Sequence, residues 1–205
     1  VDEVQPSRRE MYAALTKNAI VDAAKKLFVE RGYDDTSVDD IARASNVSKG
    51  AVYHHFRDKQ QVFAEVYRAA TAVVTGVVAE AVLAAPADSW ERVEVAVRTA
   101  IRTYAGDPEA RALLRQVIRV LGEDKTKELE LELALPLIRG LLDEMARIGE
   151  LRSFDTDIAA QLAFRVLCEA SLIVAAADDP AAVSLEAETV MLQMLEGLRT
   201  RTQAA

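Results

Sequence analysis

From Leu15 to Leu198 the apolar residues recur at spacings of three and four, and over no useful length do they alternate with period two. The 3.6-residue turn of an α-helix brings positions i, i+3 and i+4 onto one face, whereas a half-buried strand needs strict alternation. The chain is therefore expected to be all-α, with about nine helices. The first amphipathic stretch runs from about Leu15 to Arg31. Leu15, Ala19, Ile20, Ala23, Ala24, Leu27 and Phe28 share its face, and Gly32 stands where a C-terminal cap belongs.

Capping residues divide the rest of the chain. Ser37, three residues before Asp40, starts a second helix that buries Val38, Ile41 and Ala42 and ends near Ser45. Asn46 tolerates the left-handed conformation of a tight turn, and Ser48 caps a short third helix, about Lys49 to Phe56. Three helices with a four-residue turn before the last form a helix-turn-helix unit. A long helix from about Lys59 to Leu83 comes next, closed by Pro86. Asp88 or Ser89 caps a helix to about Tyr104, and Gly106-Asp107-Pro108 starts one to about Leu121. Gly122 opens a longer helix, ended by Gly149, that Pro136 should kink or break near Ala134. The last two helices are expected over 156–177 and 184–201. They are so apolar that burial against a second copy, as a four-helix bundle across a two-fold axis, is the expected arrangement; packing within their own chain is the alternative.

The net charge of −8 argues against coating nucleic acid over the whole surface. Residues 1–60 hold ten Lys/Arg and ten Asp/Glu, so the acidity lies entirely in 61–205. Two parts are expected: a helix-turn-helix domain over 1–60, with 1–10 as a flexible arm, and a ligand-binding and dimerisation domain over 61–205. No uniformly apolar run of membrane-spanning length and no charged-then-apolar leader is apparent, and the single cysteine, Cys168, can form no internal disulfide. The expected location is the cytoplasm, with no membrane partner.

The most informative segment is Thr36 to Lys59, with Ile41-Ala42, Val47-Ser48-Lys49-Gly50-Ala51-Val52-Tyr53-His54-His55-Phe56 and Lys59 at fixed spacing. A helix entering the major groove needs small residues at its leading end so that the backbone approaches base edges; Lys49, Gly50 and Ala51 supply a cation and two such residues. The amides behind Ser37 and Ser48 can meet phosphate oxygens. Tyr53, His55 and Lys59 suit phosphates flanking the groove, and His54 suits a base edge or a phosphate. The lesser alternatives are that Tyr53 caps the three-helix core and that Lys59 stands in solvent at the start of the next helix. Asp39 would repel phosphate or accept from a cytosine amino group, and Arg8 and Arg9 would reach the minor groove or be disordered.

This segment resembles the tetracycline-repressor (TetR) family of bacterial transcription regulators. The motif covers roughly residues 15–70, and the rest of the chain resembles the family only in length, helical pattern and apolar terminal pair. The resemblance implies that Tyr53, His55 and Lys59 hold phosphates while Lys49, Gly50, Ala51 and His54 face bases. Ala51 departs from the pattern by lacking the hydroxyl of Thr or Ser. The resemblance further implies a homodimer on double-stranded palindromic operator DNA, most simply a repressor, released by a small apolar or aromatic effector.

Polar or aromatic residues within apolar helices are the candidates for orienting that effector: Tyr67, Trp90, Tyr104, Gln116, Arg119, Arg165 and Glu169. Trp90 would also anchor a helix start, and Arg165 with Glu169 is also an ordinary i, i+4 pair. Cys168, Met145, Met191 and Met194 read as core. His54 and His55 are the only histidines, adjacent and therefore divergent on a helix. No Walker-type loop or nucleophile elbow occurs, so no catalytic residue, metal or cofactor is expected. The alternative function is a DNA-bound factor of the same fold that recruits a protein and binds no small molecule.

Overall fold

Side-chain caps decide where most helices begin. The computed structural model describes residues 7–87 and 89–200; the arm residues 1–6, the alternative cap Asp88 and the helix end at Arg201 lie outside the described residues. Among the described residues there are nine α-helices: α1 (Arg8–Arg31), α2 (Val38–Ala44), α3 (Lys49–His55), α4 (Lys59–Ala84), α5 (Glu91–Gly106), α6 (Pro108–Leu121), α7 (Glu123–Arg147), α8 (Thr156–Ala176) and α9 (Pro180–Glu196). An isolated antiparallel bridge joins Leu151 to Arg199.

Reciprocal capping boxes set α1 and α2. The Glu10 N–H donates to the Ser7 hydroxyl while the Glu10 carboxylate accepts from the Ser7 N–H, and Asp40 does the same for Ser37. The box at Ser7 starts α1 well before Leu15, so Arg8 and Arg9 form its first turn and belong to no arm. Leu15 is 58% exposed, and the buried face begins at Ile20. Asp107 and Asp179 each cap a helix whose first residue is a proline, Pro108 and Pro180. The second of these pairs starts α9 one turn earlier than Ser184, and α9 ends at Glu196. Asn46 takes φ 59° between α2 and α3, as expected, and Gly32 and Gly122 end their helices at φ 85° and 79°.

Pro136 neither breaks nor ends α7, which runs unbroken through it. Pro136 and Glu132 are both exposed, so the carbonyl left without its i+4 donor lies on the watered side, where its loss costs least.

Two main cores are built on this frame. In the first, Ile20, Phe28, Ile41, Val52, Phe56 and Phe63 pack with Leu113, Val117 and Leu129, so the interior beneath α1–α3 continues into α6 and α7. Phe28, Tyr33 and Phe63 form an aromatic knot with centroids 5.2–5.7 Å apart. The second holds Trp90, Val97, Ile101, Leu142, Met145, Val174, Met191 and Leu195. Its α5–α9 seam carries a bidentate pair, Arg102 Nε and Nη2 at 2.7 and 2.8 Å from the buried Glu188.

Helix α4 belongs to both regions. Val62, Phe63 and Val66 face the first core, while Val74, Val78 and Val82 run on into the body. By length and hydropathy, α4 and α8 are each long and apolar enough to cross a bilayer, contrary to the expectation. In the fold they are packed helices, α4 against α1, α5, α6 and α7, and α8 against α5, α6, α7 and α9. One side of α8 is uncovered in the single chain: Ile158, Leu162 and Ile173 are each more than half exposed, as are Val190 and Met194 on α9.

Candidate nucleic-acid interface and effector cavity

The exposed surface of α2 and α3 gathers the expected DNA-facing residues. The Ala51 N–H donates to the Ser48 hydroxyl at 3.1 Å, which fixes the start of α3. Gly50 is exposed, and a β-carbon there would meet only the Ser48 hydroxyl, at an ordinary 3.8 Å. The chain's own packing therefore does not require glycine at this position; what its smallness leaves open is the approach from outside. Tyr53 is 49% exposed and His54 is exposed beside it.

Three residues sit differently from a simple reading. The Lys49 ammonium lies 2.8 Å from the Asp39 carboxylate, with both side chains about half exposed, so Asp39 partners the cation at the head of α3. The bond and charge of Asp39 raise the Lys49 pKa. His55 is half-buried. Burial, then repulsion from His54 and Lys17, lowers its pKa from the ordinary imidazole value, which favours the neutral ring. Lys59, expected at a phosphate, is engaged within the chain. Its ammonium donates to the carbonyls of Tyr33 (2.7 Å) and Thr36 (2.8 Å) and stands 4.0 Å from the Tyr33 ring centre. The turn after α1 leaves those carbonyls without helical donors, and the start of α4 lies against them, so Lys59 clamps the turn to α4.

The body encloses a cavity of about 560 Å³ among α4 to α9, within the ~300–1,000 Å³ of ordinary small-molecule sites. Of the expected ligand residues, Tyr67, Tyr104, Arg165 and Glu169 line it. Trp90, Gln116 and Arg119 do not, and each has a physical reason. Trp90 is 6% exposed in the second core, with the Arg199 guanidinium 5.1 Å from its ring centre. Gln116 accepts from the Tyr33 N–H at 2.7 Å and donates to the Phe28 carbonyl at 3.1 Å, tying α6 to the end of α1. Arg119, one turn on, forms an ion pair with Asp34.

The polar heart of the cavity is Glu130, absent from the expected set. It is 8% exposed, and its two oxygens accept from the Tyr67 hydroxyl at 2.7 Å and the Cys168 thiol at 3.7 Å. Burial raises its pKa above 4.5, although both donors and the charge of Arg165 work the other way. Burial likewise pushes up Tyr67, Tyr104 and Cys168, which stay protonated. Cys168 is thus part of the cavity wall and not plain core. Thr71, also on the wall, has a buried hydroxyl with no partner. A signal for Glu130 was present: Glu130, Ala134, Leu137 and Leu141 follow the 4-3-4 spacing of one helical face.

Comparison with known proteins covers both regions. The tetR family of bacterial regulatory proteins matches residues 20–66, and the tetracyclin repressor-like C-terminal domain matches residues 90–198. The HTH-type transcriptional repressor KstR2 of Rhodococcus jostii is 31% identical over 155 residues, 74% of each chain. A solved TetR-family transcriptional regulator from Pectobacterium atrosepticum superposes with TM-score 0.80 at 28% identity, over 96% of this chain and 99% of that one. The regulator FadR of Bacillus subtilis, solved in complex with stearoyl-CoA, shares the fold with TM-score 0.68 at 20% identity, over 85% and 96% of the two chains. With its helix-turn-helix and its cavity-bearing body each matched, the chain is a member of the TetR family of transcription regulators.

Proposed function

We propose that the protein is a cytoplasmic homodimeric repressor that places α3 of each subunit in successive major grooves of a palindromic operator and leaves it when a small molecule occupies the cavity. The observation that carries this reading is the course of α4. One helix supplies Phe63 to the core under the DNA-reading face and, one turn on, Tyr67 to the polar heart of the cavity. A ligand that displaces the Tyr67–Glu130 contact acts on the helix that holds α3 in place. The uncovered apolar sides of α8 and α9 supply the surface for the two-fold partner. A factor that only recruited another protein would need no cavity of this size. Ser37, Ser48, Lys49, Gly50, Ala51, Tyr53, His54 and His55 are the proposed DNA contacts.

Selection of bound duplexes from a random pool, then a salt titration of the winner, tests the reading. A palindromic winner is expected, with Tyr53→Ala weakening it by about 1.5–3 kcal/mol per subunit, the scale of a hydrogen bond to a charged group. A panel of apolar and aromatic compounds is then screened for operator release. A winner indifferent to Tyr53, or release by no compound, would contradict the proposal.

A further inference from the structure

The cavity wall is apolar along Val74, Val78, Leu137 and Leu141, yet a carboxyl group stands in its depth. Both hydrogen bonds that Glu130 receives come from neutral donors, Tyr67 and Cys168, and no Lys, Arg or His among the described residues is ion-paired with it. The exposed Arg165 guanidinium eases a charge on Glu130 from a distance without forming an ion pair, so the buried carboxyl is still costly to ionise, and a cationic partner in direct contact would lower the cost. Two further observations point the same way. Thr71 lies one helical turn beyond Tyr67 on the same wall, and its buried hydroxyl has no hydrogen-bond partner, so a small shift of the wall would give a second N–H an acceptor. Among the exposed charged residues of the lining, Glu123, Asp124 and Glu169 outnumber Lys127 and Arg165 by one, a slight bias toward cations.

Resting on the effector reading above, we propose that this cavity selects an apolar amine, its ammonium seated on the Glu130 carboxylate and its hydrocarbon body along the valine and leucine wall. An ammonium offers three donors and one positive charge, matching a carboxylate and a hydroxyl at once. An alcohol of the same shape satisfies the acceptors without the charge. A carboxylate of the same shape brings like charge against Glu130.

The test is calorimetric titration of the full chain with decylamine, decanol and decanoate, each below its micellar concentration, repeated on Glu130→Gln. Wild type is expected to bind decylamine at least about tenfold more tightly than decanol, with decanoate weakest. Glu130→Gln, which keeps an acceptor for Tyr67, should bring amine and alcohol within a few-fold of each other and improve decanoate. Decanol or decanoate binding wild type as tightly as decylamine would overturn the proposal, as would an amine preference that survives Glu130→Gln. If either of those probes binds and releases operator, the effector reading stands while amine selection falls. Binding by none of the three overturns amine selection, and the compound panel then decides the effector reading separately. Should the variant fail to fold, the wild-type ranking decides alone.

Discussion

The DNA-reading face and the effector cavity solve opposite problems with the same kind of helix. On the face, polar side chains stand at helix starts in solvent, held by groups close in sequence: the Ser37 hydroxyl by the Asp40 N–H, the Ser48 hydroxyl by the Ala51 N–H, and Lys49 by Asp39. In the cavity, polar groups are buried and held across long separations, as Tyr67 is to Glu130. Local interactions tie function to a short string of residues, whereas long-range ones tie it to how helices pack. The first region tolerates surface change and is sensitive to charge; the second is sensitive to any unmatched polar group.

The regions can be forced apart or together by substitution. The largest effect is expected from Phe63→Ala, which empties the knot beneath α3 at a fully buried position. It should cost about 3–5 kcal/mol of stability in chemical denaturation and take operator binding and ligand binding with it. Loss of operator binding alone would mean that the two regions fold independently. Next, Lys59→Met removes two hydrogen bonds and a cation–ring contact, costing about 1–3 kcal/mol by thermal melting. The salt dependence of operator binding should not change. A shallower salt slope would return Lys59 to the phosphate contacts.

Smaller effects sharpen the contrast. Asp39→Asn frees the Lys49 cation, so DNA affinity should rise a few-fold and the logarithmic salt slope should steepen by about 0.9 per subunit. An unchanged slope with an altered preferred sequence would instead make Asp39 a base reader. In the cavity, the pKa of Glu130 is raised on folding, so its contribution to stability is complete at acid pH and is lost as pH climbs from 4.5 through the folded value. Tyr67, Tyr104 and Cys168 stay protonated there, so none of them supplies this slope. Glu130→Gln should therefore gain in melting temperature relative to wild type between about pH 5 and pH 8. A constant difference across that range would show that Glu130 does not change its proton uptake on folding.

The same contrast explains which features were legible in the sequence. The helix-turn-helix was legible because its caps, its Asn46 turn and its small residues at 50 and 51 act within a few positions of each other. The start of α1 was equally local, in Ser7 and Glu10, but the run of Arg8, Arg9 and Glu10 conceals a helix from any reading that waits for apolar spacing. In the body, a polar residue within an apolar helix signals a half-buried position without saying which neighbour it meets. Tyr67 and Tyr104 therefore reached the cavity, while Gln116 and Arg119, on another side of α6, reached the end of α1. Glu130 was hidden by company, since it alternates with Glu128 and Glu132 as a solvated run would. Only its place on the 130-134-137-141 stripe set it apart.

The central claim is that occupancy of the cavity and the hold of α3 on DNA are one equilibrium carried by α4. The most direct measurement is the dissociation constant of the selected palindromic duplex, by fluorescence anisotropy, with and without a ligand shown by calorimetry to fill the cavity: decylamine first, or the tightest binder of the panel. A weakening of about 5–150-fold, matched by an equal weakening of the ligand when operator is bound, is the predicted result. A ligand that fills the cavity and leaves the operator constant unchanged would contradict the account.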